Sequence, residues 1–544
     1  MPQHRDDTRL SSGDALFLYL EREGMPLNVA SVSIFEGHIS LQGCSRFIES
    51  KLPLIPRYRQ RIAPPPFGIG APRWEFDPEF DIRHHVHQVT LKHGTDAEVK
   101  AIAGAILSTM LDRRHPLWDF TLIHGLQGDR TAIVTRMHHC LADGLAGVSL
   151  MNALMDASSE VRPLPRKKAH FHVPEARPAR NFVDELILSS VSLAERILTA
   201  QKELFQVFEQ VLASASQQRG RTRTAPQLTK SSEARIPSME DFARLMPEVS
   251  AATQLLPFNV ICRGPQKFGW TEIPLADLKA VKQACGATVN EVALTIITST
   301  IQRYVESRGV RLKGRLLRIV VPVNVRGNGS TNELGNRITF VPITIPLDIR
   351  SLRRLVSAIR QRTAFLKSAH VAECVGLFGT MLGTIPTPAQ QFAGQIVSQI
   401  PLGLCNLIFT NVPGPTSPLY LLGHKLVRCY PYVPIGGELG INCAMLTYDG
   451  TAYFGFTADV HAVPDVGRLE RFLLRSFSEL WQAVGLGPRR TKRPPAIRKA
   501  AAPDATTAAA EPPIPSVAKP TAKAEPAVVT AAPHDDDVLP RAVA

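Results

Sequence analysis

The chain has 544 residues, 44% of them hydrophobic and 20% charged, and a formal net charge of +14. That length exceeds one ordinary core, so two large domains are expected. The basic balance suits an anionic lipid surface or a phosphorylated substrate, whereas sparse aromatics and the lack of a nucleic-acid-binding motif exclude nucleic acid as a partner.

In chain order, residues 30–35 read as a strand, and residues 96–111 carry Val99, Ile102, Ile106 and Met110 at helical spacing. Residues 131–136 are β-branched and read as a buried strand. The apolar run 145–155 reads as a short helix. Residues 160–180 and 216–237 are basic and proline-bearing, as loops are. Between them, 182–213 places apolar residues at largely helical intervals, the pattern of an amphipathic connector.

In the second half, 287–301 reads as a helix with Asn290 near its start, and 316–323 and 338–347 read as strands. Residues 376–400 form an apolar, partly helical stretch broken by Pro386 and Pro388. Beyond Pro488 the chain turns to Ala, Pro, Thr and Lys, a composition that cannot bury a core. The expected organisation is therefore a first domain over 8–160, a connector over 161–264, a second domain over 265–487 and a disordered tail over 488–544.

The eight cysteines, at 44, 140, 262, 285, 374, 405, 429 and 443, show neither C-x-x-C nor metal-ligand spacing. No apolar run reaches the roughly 18 residues that a membrane span needs, and the polar N-terminus does not look like a leader. Reduced thiols and a cytoplasmic protein, attached at most peripherally to membranes or lipid inclusions, are expected.

The most specific motif is His138-His139-Cys140-Leu141-Ala142-Asp143-Gly144, set between the strand at 131–136 and the helix at 145–155. Histidine is the side chain best suited to moving a proton near neutral pH. Asp143 and Gly144 suit the tight turn into the helix, where Asp143 can also serve as an N-cap. Packing of both histidines at a strand end is the plainer alternative.

Further blocks accompany the histidines. They are Leu10-Ser11-Ser12-Gly13-Asp14-Ala15-Leu16-Phe17-Leu18-Tyr19-Leu20-Glu21, His115-Pro116-Leu117-Trp118 to Gly125, Asn290-Glu291-Val292-Ala293-Leu294, Val323-Asn324-Val325-Arg326-Gly327, Leu334-Gly335-Asn336-Arg337, Thr410-Asn411-Val412-Pro413-Gly414-Pro415 and Val463-Pro464-Asp465. In this order and spacing, over about residues 8–485, the chain resembles the bacterial wax ester synthase/diacylglycerol acyltransferase family. It departs from the family's pattern at Glu291, where Asp is commoner, and at Ala293-Leu294-Thr295.

The resemblance implies an α/β fold: two chloramphenicol-acetyltransferase-like domains, mixed sheets flanked by helices, with an active-site tunnel between them. It implies acyl transfer from acyl-CoA to a lipid alcohol, either a diacylglycerol or a long-chain fatty alcohol. His139 would be the general base and His138 an auxiliary. Asn290 is the oxyanion candidate, Arg326 the partner of Asp143, and Pro116, Leu117 and Trp118 a wall supporting the site. Acyl-CoA enters as substrate, and no other cofactor or metal is called for. A condensation domain using a carrier-protein thioester shares the histidine motif, and a non-catalytic lipid-surface protein is the remaining alternative.

Overall fold

The structure, a computed structural model, describes residues 9–64, 72–141, 151–161, 253–324, 338–368 and 403–487. The connector helix expected over 182–213, the loop at 216–237, the stretch 376–400 and the tail from 488 lie outside these residues. So does the loop at 160–180 beyond residue 161.

The first half supplies β1 (Asn28–Glu36), β2 (Gln60–Ala63), β3 (Arg73–Phe76), β4 (Val86–Thr90), β5 (Trp118–Leu126) and β6 (Arg130–His138). The second supplies β7 (Gln266–Pro274), β8 (Leu316–Asn324), β9 (Ile338–Pro346), β10 (Leu407–Pro413), β11 (Tyr420–Leu421), β12 (His424–Tyr432), β13 (Ile441–Tyr448) and β14 (Thr451–Asp459). Among the described residues these form two six-stranded sheets, ordered β11-β12-β1-β6-β5-β4 and β7-β14-β13-β10-β8-β9, and a small β2-β3 ribbon. Both large sheets are mixed: β4 and β5 run parallel in the first, and β10 runs parallel to β8 and β13 in the second.

Helix α1 (Ser12–Leu20) precedes β1, α2 (Leu41–Lys51) follows it, and α3 (Asp96–Leu107) crosses between β4 and β5. Of the residues at helical spacing, Val99 is buried together with Ala103, Gly104 and Leu107, Ile102 and Ile106 pack partly buried against the core, and Met110 is 38% exposed beyond the helix end. Backbone lies close to the helix at Gly104. A Cβ on Gly104 would stand 2.9 Å from the Gln266 carbonyl oxygen of β7. The helix stops at Leu107, where Ser108 turns to β7 and its Oγ accepts the Gln266 N–H at 2.7 Å.

Over the second sheet lie α4 (Leu275–Cys285), α5 (Val289–Ser307), α6 (Leu352–Ser368) and α7 (Gly467–Ala483). Thr288 and Glu291 form a capping box that fixes the start of α5, two residues later than the sequence suggested. Glu291, the departure from the family's commoner Asp, is thus the N3 acid of that cap, and it also accepts the Thr363 hydroxyl at 2.6 Å. Among the described residues no single helix is long and apolar enough to cross a membrane; α4 and α5 qualify only jointly, and they meet at 97°.

One strand pair departs from chain order. β11 and β12 fall in the second half, yet they extend the first sheet, with Val32 of β1 opposite Tyr430 of β12. Sequence alternation marks such a strand but not the edge it will join. Here Gly455 of β14 permits the crossing: a Cβ there would lie 1.8 Å from the Pro431 carbonyl oxygen. Beside it the Tyr430 and Trp270 rings stack with centroids 4.7 Å apart.

Candidate active site

β6 carries the histidine motif to the end of the first sheet. Its last residue, His138, pairs with Asn28 of β1, and Met137 lies opposite Trp118 of β5. The backbone then leaves the sheet. The His138 N–H donates to the Leu117 carbonyl at 2.9 Å and the His139 N–H to the Leu27 carbonyl at 2.9 Å. Residues 142–150 lie outside the described region, so the placements of Asp143 and Gly144 are not given; Met151 to Leu154 are helical.

The two histidines face opposite surroundings. His138 is fully buried, and its Nδ1 accepts the Cys140 N–H at 3.1 Å. In the neutral ring the proton therefore sits on Nε2. That nitrogen faces Oε1 of Glu21 at 3.5 Å, an electrostatic contact rather than a short hydrogen bond. Glu21 Oε1 also accepts the Leu27 N–H at 3.1 Å, and Oε2 accepts Arg113 Nη2 at 3.0 Å. Burial raises the Glu21 pKa, but the contacts with His138, Arg113 and Leu27 outweigh it and hold the carboxyl below its ordinary value.

His139 is only half-buried. Its ring stacks on Phe17 of α1, centroids 3.9 Å apart and planes 10° apart. Desolvation is the main reason its pKa falls to about 4; His138 adds to the depression and a backbone contact opposes it. His139 is thus neutral at physiological pH, the state in which a ring nitrogen can take a proton. Cys140, next along the chain, is buried, and desolvation pushes its thiol well above the ordinary range, so it is no thiolate nucleophile.

Pro116, Leu117 and Trp118 are buried under the pair. Leu117 supplies the carbonyl that holds His138. Trp118 donates its Nε1–H to the Tyr58 carbonyl at 2.8 Å and stacks on His85, centroids 4.2 Å apart. Asn290 stands in the first turn of α5, on the second sheet's side, where Asn411 Nδ2 of β10 donates to its Oδ1 at 3.4 Å. Arg326 lies outside the described residues. Among the described residues no three His, Cys, Asp or Glu side chains converge as a metal site requires.

The turn that carries Glu21 and Leu27 is wedged against the second half of the chain. Arg22 Nη2 donates to the Cys262 carbonyl at 3.4 Å, and the Gly437 N–H meets Met25 Sδ at 3.0 Å. The histidines therefore sit beside the seam between the two sheets.

A family model for the wax ester synthase/diacylglycerol acyltransferase catalytic domain matches residues 10–293, and one for the family's C-terminal domain matches 334–481. The chain belongs to this family. It is an acyltransferase, as the resemblance implied. A probable diacylglycerol O-acyltransferase of Mycobacterium tuberculosis is 28% identical over 473 residues, covering 85% of this chain and 93% of its own. Among solved structures, the wax ester synthase/diacylglycerol acyltransferase of Marinobacter aquaeolei VT8 superposes with a TM-score of 0.58 at 21% identity, covering 88% of this chain and all of its own. The first condensation domain of the calcium-dependent antibiotic synthetase gives 0.53 at 14% identity, covering 88% and 97%. These likenesses establish the two-domain α/β fold of mixed sheets and helices.

Sequence reasoning missed Glu21 and Arg113 as neighbours of the histidines. The one available signal was that the opening block of the chain ends on Glu21, an acid directly after the apolar run Ala15 to Leu20.

Proposed function

We propose that this acyltransferase moves a fatty acyl group from acyl-CoA to a lipid alcohol, with His139 as general base. The supporting observation is a half-buried, neutral His139 held at the strand end and stacked on Phe17, while its neighbour His138 is turned inward. A thioester already carries an activated carbonyl, so the enzyme's main task is to make the alcohol oxygen nucleophilic.

In this reading His139 Nε2 takes the hydroxyl proton as the oxygen attacks the thioester carbon. The tetrahedral oxyanion needs donors. Asn290 suits that role because Asn411 donates to its Oδ1, which orients the Asn290 amide NH2 away as a donor. Collapse expels CoA thiolate, and His139 returns the proton to it. The sequence is redox-neutral and passes through no acyl-enzyme. Asp143, paired with Arg326, and Gly144 would shape the turn after the histidines. The net charge of +14 suits the phosphates of CoA and peripheral contact with an anionic lipid surface.

The test is purified protein with palmitoyl-CoA and either hexadecanol or a diacylglycerol, following thiol release and ester product. Wild type should form ester with at least one acceptor, and His139→Ala should lower kcat by about 100- to 10,000-fold. Thiol release at background with both acceptors would refute the activity; a fully active His139→Ala would refute the base.

A further inference from the structure

We propose that Glu21 is a positioning residue for acyl transfer, clamping both histidines from α1 through two separate pins. The inference rests on His139 being the base. The first pin is the backbone of Leu27: its N–H binds Glu21 Oε1 at 3.1 Å and its carbonyl accepts the His139 N–H at 2.9 Å. The second is the His138 ring: its Nε2 side faces Glu21 Oε1 at 3.5 Å, and its Nδ1 accepts the Cys140 N–H at 3.1 Å. The peptides on either side of His139 are thereby tied to one carboxylate.

That carboxylate is built in. The Glu21 side chain is 1% exposed, and Arg113, 44% exposed, closes it from outside through Oε2 while also donating to the Leu18 carbonyl at 2.9 Å. A buried ionic cluster of this kind adds little stability over apolar packing of the same volume. Its gain is geometric: a misplacement of about 1 Å in a reacting group can cost about 100-fold in rate. Phe17 in the last turn of α1, whose carbonyl accepts the N–H of the C-cap Glu21, stacks on the His139 ring, so the helix end holds that residue by both ring and backbone.

The Leu27 N–H donates to Oε1 of Glu21, Arg113 Nη2–H donates to Oε2, and His138 Nε2 faces Oε1. Glutamine has the same size but is neutral and offers one acceptor oxygen. Glu21→Gln either turns its NH2 to the Leu27 N–H and His138, breaking both pins, or turns it to Arg113, losing that contact, and in both cases it removes the negative charge facing His138. The experiment is a double-mutant cycle of Glu21→Gln with His138→Asn, whose amide can still accept the Cys140 N–H, read as kcat, KM and melting temperature, with His139→Ala in parallel.

Glu21→Gln should lower kcat about tenfold with KM within about twofold, and in the His138→Asn background it should cost less than about threefold. An equal cost in both backgrounds, a change confined to KM, or wild-type kcat would overturn the proposal. A purely structural Glu21 would lower the melting temperature and be indifferent to residue 138. If Glu21→Gln fails to fold, Arg113→Met on the half-exposed side takes its place in the same cycle and must show the same dependence on His138. An inactive His139→Ala beside a wild-type Glu21→Gln would refute the clamp alone, whereas an active His139→Ala would refute the base on which it rests.

Discussion

The Phe17 ring lies flat on the His139 imidazole, 3.9 Å between centroids and 10° between planes. Stacking at this distance fixes the rotation of the imidazole about its Cβ–Cγ bond, a torsion that is otherwise broad. Phe17→Leu keeps apolar volume but removes the flat face. It should reduce kcat about three- to tenfold while KM for acyl-CoA stays within about twofold. Steady-state kinetics on the two proteins decide it, and an unchanged kcat would make the stack incidental.

The pH dependence of the reaction should betray the environment of His139. With its pKa near 4, the ring stays unprotonated far below the range where an ordinary histidine titrates. At pH 5.5 a base of pKa 6.5 would retain roughly a tenth of its activity, whereas His139 should retain nearly all. A kcat/KM profile from pH 8 to 5 distinguishes these. Stability follows the same proton: between about pH 6.5 and 4 the unfolded chain binds protons that the folded chain refuses at His139 and at His85, whose pKa also falls to about 4 through burial. That contribution is complete above 6.5 and is lost as pH falls through the folded value. Melting temperature should drop through this window, less steeply in His85→Phe.

Cys140 adjoins the proposed base but should be silent in the chemistry. Its thiol is buried and its pKa raised by desolvation. Cys140→Ala should keep kcat within about twofold and cost about 1 kcal/mol of stability, the scale of a small buried deletion. Rapid inactivation of wild type by iodoacetamide at pH 8, absent in Cys140→Ala, would contradict this.

At Gly455 the two sheets leave no space for a side chain, since a Cβ would stand 1.8 Å from the Pro431 oxygen. Gly455→Ala must displace backbone, and a cost above about 4 kcal/mol is expected. Urea denaturation measures it. Soluble protein with a wild-type midpoint would show that β12 and β14 can part without penalty.

The strand that carries the histidines was legible in the sequence. The β-branched run before His138 does form β6, and Asn290 does open a helix, because Thr288 and Glu291 cap it locally. Glu21 was not legible as a neighbour of His138, since 117 residues separate them and no periodicity encodes a contact between a helix end and a distant strand end. The end of α3 was not legible for a related reason: the helix stops at Leu107, short of the expected 111, where Ser108 Oγ accepts the Gln266 N–H of the distant strand β7.

The crossing of β12 carries a further consequence. β1 has β6 on one edge and β12 on the other, and β12 begins only at His424. During synthesis the strand next to the histidines waits through nearly 290 residues for its second neighbour. Contacts this remote in sequence form late and slowly. A ribosome that stops after residue 293 would release all of the histidine motif with one edge of its sheet bare, a template for aggregation rather than a working enzyme. The crossing thus ties acquisition of activity to synthesis of the chain as far as Tyr432.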